Sequence, residues 1–148
     1  MKKLIDKIFG KRNNIEKTSF LTVSDKDLTI SERFSKWINL IESGNLPTEK
    51  IQGLNFGLFQ SSDSYMMYLI GTEIFDEKDE NWACEVDYEP EYKYLDLNDL
   101  KLNDSDWKYV LDYSVELISN YLRLNDSFLS EIENITTGFD NGNLIRLK

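Results

Sequence analysis

The sequence predicts an α+β fold in which a mainly antiparallel sheet is packed against two principal helices. Two segments, 30–43 and 104–123, carry apolar residues at helical spacing. Two short apolar segments, 54–59 and 65–71, are separated by turn residues, and the C-terminus reads as strand, turn and strand. Strands followed by a helix and then by further strands are typical of this class. The 148 residues are enough for one domain, and we divide them into an N-terminal appendage, 1–28, and a single α+β domain, 29–148.

The N-terminal appendage begins with a short amphipathic pattern. Leu4, Ile5, Ile8 and Phe9 would share one face of a helix, with lysines on the other. Two helical turns are marginal on their own, so we expect this face to dock on the body of the protein. Contact of residues 1–12 with a membrane surface is the less favoured alternative. The rest of the appendage has little periodicity and is predicted to be mostly loop.

The first helix has a start signal in the sequence. Thr29 and Glu32 form the capping-box pattern T-x-x-E, and Gly44 is a natural end. After it, "LNFGLF" and "YMMYLIG" flank the turn-forming "QSSDS", which predicts an antiparallel hairpin. Gly57 lies inside the first of these strands, where a glycine indicates a bulge or the close approach of another group.

The second half of the chain predicts one more long helix and one more hairpin. The segment 92–97, "YKYLDL", is predicted to be a short edge strand. For the helix at 104–123, the residues Asn103, Asp104 and Ser105 are all acceptable N-caps. The sequence "DNGN", which lies between "ITTGF" and "LIRL", predicts a type I′ turn.

The composition argues against several kinds of chemistry. The chain contains no histidine, which removes Ser-His-Asp and Cys-His catalysis and the usual zinc enzymes. No phosphate-binding glycine loop is present, and "DEKDENW" fails the EF-hand pattern because Lys78 and Glu80 occupy ligand positions and no glycine follows. We therefore predict no catalytic residue, no cofactor and no metal.

The expected compartment is the cytoplasm. Cys84 is the only cysteine, so no intramolecular disulfide can form, as in a reducing compartment. The first residues do not read as a signal peptide, because Asp6 and Lys7 interrupt the apolar stretch. The longest apolar runs are far shorter than the roughly 18 residues that span a bilayer.

The negative charge is concentrated in one segment. The net charge is −10, and residues 73–106 contain thirteen acidic and three basic residues, a difference that equals the charge of the whole chain. Such a segment repels nucleic acid and favours a basic partner, and aromatic residues interleaved with the acids could anchor that partner. For Trp82 the following "AC" also favours a place in the core. The residues predicted to contact the partner are Asp76, Glu77, Asp79, Glu80, Trp82, Glu85, Asp87, Tyr88, Glu89, Glu91 and Tyr92.

Three short patterns, "NFGLF" (55–59), "YLIG" (68–71) and "DENWAC" (79–84), carry a family resemblance. With the acidic run between them, they resemble small acidic bacterial proteins regarded as immunity proteins of polymorphic or contact-dependent toxin systems. The resemblance implies a protein that binds and neutralises a cognate toxin domain and has no catalysis of its own. Such toxins include nucleases with basic clefts.

Two other functions remain open from the sequence. The first is a non-catalytic binding or adaptor module for another basic partner. The second is a small enzyme that uses paired carboxylates, since two suitably placed acids are enough for glycoside chemistry. The oligomeric state is also left open.

Overall fold

The computed structural model describes residues 19–148, so the predicted amphipathic segment 1–12 lies outside the described residues. The strands are β1 (Thr22–Val23), β2 (Gly53–Gln60), β3 (Tyr65–Thr72), β4 (Tyr94–Asp96), β5 (Asn134–Phe139) and β6 (Ile145–Arg146). The helices are α1 (Ile30–Glu42), α2 (Leu100–Asn103) and α3 (Trp107–Leu124). Two 3₁₀ helices, Glu80–Cys84 and Phe128–Glu131, complete the fold.

The six strands form one mixed sheet in the order β1-β4-β3-β2-β5-β6. The α+β class is confirmed. Three neighbouring pairs are antiparallel, whereas β1 with β4 and β2 with β5 are parallel. The segment 92–97 does contain a strand, but the prediction that it is an edge strand is wrong because β1 pairs with its outer side. Val23 of β1 is buried in the core, so this part of the appendage is built into the sheet.

Helix α1 forms as predicted. Thr29 Oγ1 accepts the Glu32 N–H at 3.1 Å, and the Thr29 N–H donates to Glu32 Oε1 at 2.9 Å, which completes the capping box. The helix buries one apolar stripe that includes Phe34 and Trp37, and both rings contact Phe56 of β2 with centroids 5.8 Å away. This packing joins α1 to the middle of the sheet.

Helix α3 starts later than predicted. Its N-cap is Asp106, whose carboxylate accepts the Tyr109 N–H at 3.0 Å, and none of the three predicted caps serves. The reason is the separate one-turn helix α2, which contains Asn103 and is followed by a break before α3. Tyr121 of α3 contacts Phe34 of α1 with ring centroids 5.3 Å apart, so both long helices cover the same face of the sheet.

The β2–β3 hairpin is confirmed, with an uninterrupted register from Gly53↔Thr72 to Gln60↔Tyr65. Gly57 therefore does not mark a bulge. It marks a close approach, because a Cβ at this position would overlap the ring of Tyr68. The Tyr68 hydroxyl donates to Asp140 at 2.6 Å, so the ring lies across the face of the sheet opposite to the helices.

The C-terminal hairpin is present, but its predicted type I′ turn is wrong. Paired residues stop at Thr137↔Ile145, and Gly142 does not adopt the left-handed conformation that such a turn requires. Two contacts explain why the connection is longer than the two residues of a type I′ turn. The Asp140 N–H continues the pairing with β2 by donating to the Leu58 carbonyl at 3.1 Å. The returning chain also passes so close to Gly138 that a Cβ there would lie 2.7 Å from the Asn143 carbonyl oxygen.

Candidate functional site

The acidic loop is defined as residues 73–93 between β3 and β4, and its first part, 73–85, lies over the sheet face that carries no long helix. Phe75 and Trp82 point inward and contact each other with ring centroids 4.8 Å apart. Both rings lie above Gly53, where a Cβ would come within 3.1 Å of each. The glycine at the start of β2 thus provides the space in which the loop is seated.

The aromatic residues predicted to contact a partner do not form an exposed set. Trp82 is 5% exposed, in agreement with the core alternative, and Tyr88 is also buried. The Tyr88 hydroxyl donates to the Asn45 carbonyl at 2.8 Å, and burial raises the pKa of this tyrosine above its ordinary value. Tyr92 is half-buried, and its carbonyl accepts the Trp37 indole N–H at 2.6 Å. The rings of Trp82 and Tyr88 therefore hold the loop to the body of the protein, and their contact with a partner stays a prediction.

Three aspartates of the loop brace its backbone. Asp76 accepts the Lys78 N–H at 2.9 Å, and Asp79 caps the 3₁₀ helix by accepting the Asn81 N–H at 3.1 Å. Asp87 accepts the Glu73 N–H at 2.8 Å across the two ends of the loop. A carboxylate that accepts one backbone N–H keeps further lone pairs for other donors. These side chains are exposed, so they fix the loop and still present negative charge.

Two glutamates tie the loop to the C-terminal hairpin. Glu77 forms an ion pair with Arg146 at 2.7 Å, and Glu80 accepts the Leu144 N–H at 3.0 Å. The Arg146 guanidinium also lies 5.2 Å from the centre of the Phe75 ring. The loop is therefore held against the sheet by the Phe75 and Trp82 rings and against the C-terminal hairpin by polar contacts.

The remaining predicted carboxylates lie where the loop returns to β4. Glu89 pairs with Lys93 at 2.7 Å, and the ammonium of Lys93 lies 4.8 Å from the centre of the Phe20 ring. Glu85 and Glu91 are exposed. Among residues 19–148, only two of the nine carboxylates in the acidic loop are ion-paired, Glu77 and Glu89.

The charge that is continuous in sequence is divided in space. Tyr88 pairs with Gly71 at one end of β3, whereas Asp96 pairs with Met66 at the other end. The nine carboxylates of residues 73–91 therefore surround one end of the sheet. The four that follow, Asp96, Asp99, Asp104 and Asp106, belong to the opposite end, where Asp99 and Asp106 cap helices.

A second surface feature was not predicted from the sequence. An open groove of about 890 Å³ runs between the first turns of α3 and the end of the β5–β6 hairpin. We call it the α3–β5 groove, and its apolar lining comprises Leu58, Phe59, Tyr65, Trp107, Leu111, Phe139 and Ile145. Trp107 lies in the segment 104–123, which carries apolar residues at helical spacing, yet it is 59% exposed. It is the first residue of α3, and its ring meets that of Phe139 edge-on with centroids 6.3 Å apart.

Comparison of the chain with protein-family models, with curated proteins and with solved structures finds no match. Within residues 19–148, no cluster of three or more Cys, Asp and Glu side chains is arranged to hold a metal ion. In the same part of the chain, no helix has the length and apolar character needed to cross a membrane.

Proposed function

We propose that this protein is a non-catalytic inhibitor that binds a basic partner protein through the acidic loop, in the role of an immunity protein for a secreted bacterial toxin. The observation that carries the proposal is the arrangement of charge on a braced loop. Seven of its nine carboxylates have no lysine or arginine partner among residues 19–148. Charge that serves solubility alone would be spread over the surface with both signs mixed.

The rigidity of the loop supports a binding role. Rings beneath the loop and backbone hydrogen bonds from its own aspartates hold the carboxylates at fixed positions. A surface that is ordered before binding loses less conformational entropy when the complex forms. Fixed negative charge also accelerates and orients the encounter with a positive surface. A basic toxin domain would meet these requirements.

The more specific role as an immunity protein is supported by the family resemblance. "NFGLF" lies in β2, "YLIG" in β3, and "DENWAC" covers Asp79 and the 3₁₀ helix that it caps. The three patterns thus fall on the acidic loop and on the two strands that carry it. An inhibitor that acts by binding needs no reaction chemistry, in keeping with a chain that has no histidine.

The test is a charge reversal that leaves intact the hydrogen bonds and ion pairs that hold the loop in place. We choose Glu73, Glu85 and Glu91, which are exposed and whose carboxylates form no described hydrogen bond, and change all three to lysine. We expect association with the cognate toxin domain to slow at least about tenfold, and its dependence on salt to weaken, because steering is lost. The measurement is the association rate at several salt concentrations, together with rescue of growth on co-expression with the toxin domain.

The matched control makes the same change of charge elsewhere. Asp63, Glu116 and Asp126 are also exposed carboxylates without a described hydrogen bond, and their reversal to lysine should leave the association rate near that of the wild type. Equal slowing by both triple variants would show that net charge, not the acidic loop, governs binding. Wild-type protein that fails to rescue growth, yet captures another basic protein through the loop, would favour the adaptor alternative.

A further inference from the structure

The α3–β5 groove is an apolar surface without a described occupant. Trp107 and Leu111 form one wall, and Phe139 and Ile145 form the other. Asp140 is the one charged residue among those that line it, and the hydroxyl of Tyr68 donates to its carboxylate at 2.6 Å. The groove therefore suits a segment that presents apolar side chains on one face, because its single carboxylate is already bonded to Tyr68 on the other face of the sheet.

The chain itself contains such a segment before residue 19. Leu4, Ile5, Ile8 and Phe9 have the spacing of one helical face. Residues 1–18 contain six basic and two acidic residues, a net charge of +4, whereas residues 19–148 contain 11 basic and 25 acidic residues, a net charge of −14. Opposite charges on the two parts favour their association. We propose that residues 2–9 occupy the α3–β5 groove, with these four apolar side chains against Trp107.

The connecting chain is long enough for this arrangement. The Leu21 N–H donates to the Glu91 carbonyl at 2.8 Å, which places the start of the described chain at the outer side of β4. The groove lies four strand positions away along the sheet, at a distance of about 25 Å by the usual strand spacing and rise. Residues 10–18 can span about 30 Å when extended. The tether also gives the segment an effective concentration on the order of millimolar, so docking with a dissociation constant below about 1 mM fills the groove.

The tryptophans provide a direct test on the full chain. The chain has three, of which Trp37 is 0% and Trp82 5% exposed, so Trp107 alone can report on the groove. We expect acrylamide to quench little of the wild-type emission. Changing Leu4 and Ile8 together to aspartate should release the segment and make about one-third of the emission accessible, since one tryptophan of three is uncovered.

Two further variants show whether a change in quenching comes from release of the apolar face and whether Trp107 reports it. Changing Asn13 and Asn14 to aspartate adds the same charge outside the apolar face and should leave the quenching as in the wild type. In a Trp107→Phe background, the Leu4 and Ile8 changes should no longer alter the quenching. If one-third of the wild-type emission is already accessible and the Leu4 and Ile8 changes leave it so, the proposal is overturned. Protection that disappears on dilution would overturn it as well, in favour of a second copy of the chain. No partner protein is used, so these outcomes are independent of the proposed function.

Discussion

At the scale of single residues, the contact between Gly57 and Tyr68 shows why a glycine occupies the middle of a buried strand. A methyl group at Gly57 would overlap the Tyr68 ring, whose hydroxyl is also bonded to Asp140. We expect Gly57→Ala to lower the free energy of unfolding by about 1–3 kcal/mol, as overpacking does in cores. Urea denaturation followed by circular dichroism measures this change. Gly142→Ala is the control, because its Cβ would meet nothing closer than 3.7 Å, and equal stabilities for the two variants would contradict the explanation.

The buried tyrosines predict how stability depends on pH. Burial raises the pKa of both Tyr68 and Tyr88 above the ordinary value of 10.0. The native state therefore keeps protons that the unfolded chain releases above about pH 10, so the free energy of unfolding falls as the pH rises beyond that value and is insensitive to these groups below it. Replacing both residues by phenylalanine should flatten this fall. Urea denaturation from about pH 8 to about pH 11 tests the prediction, and an unchanged slope in the double variant would contradict it.

At the scale of elements, signals that are local in the sequence were sufficient to predict α1 and the β2–β3 hairpin. The capping box and the apolar stripe of α1 lie within fifteen residues of one another, and the hairpin needs only its own turn. The parallel pairing of β2 with β5 could not be predicted in this way, because Thr136 meets Asn55 across 81 residues of sequence. Strand β1 contains only two residues, too few for any periodicity to be visible.

For the candidate site as well, only part of the acidic loop could be predicted from the sequence. Its concentration of charge was visible in the sequence, since charge can be counted without knowing the fold. The direction of each side chain was not, because a loop lacks the regular period that assigns residues to a face in a helix or strand. Trp82 and Tyr88 are therefore buried within a run of exposed carboxylates. Gly53, which makes room for Phe75 and Trp82, was the signal that could have indicated a seated loop.

Arg33 joins three elements and supplies a prediction at this scale. It is 3% exposed and donates to the carbonyls of Asp25, Leu28 and Asp96 at 2.6 to 3.0 Å, and to that of Asn98 at 3.3 Å. It thereby links α1 to the loop after β1 and to the end of β4. We expect Arg33→Met to lower the free energy of unfolding by about 3 kcal/mol, because four partly buried carbonyls lose their donor.

The control for Arg33 lies one turn further along the same helix. Lys36 is exposed and pairs with Asp25 at 3.4 Å, so Lys36→Met should change the free energy of unfolding by about 0.5 kcal/mol or less. Arg33→Lys should fall between the two, since an ammonium cannot reproduce the planar arrangement of guanidinium donors. Chemical denaturation of the three variants gives this order, and an Arg33→Met protein as stable as Lys36→Met would refute the role of the buried guanidinium.

At the scale of the whole molecule, the described residues carry a net charge of −14, and nine carboxylates surround one end of the sheet. Mutual repulsion between these carboxylates opposes folding, and salt screens it. We therefore expect the melting temperature to rise by a few °C when NaCl is raised from about 20 mM to about 300 mM.

The Glu73, Glu85 and Glu91 reversal should melt higher than the wild type at low salt and respond less to added salt. The Asp63, Glu116 and Asp126 reversal should gain less, because its carboxylates are not crowded together. A loop reversal whose melting temperature rises no more than that of this control would show that the crowded carboxylates do not oppose folding. A larger rise, combined with slower binding of a basic partner, would show that the charge of the loop favours binding at the expense of stability.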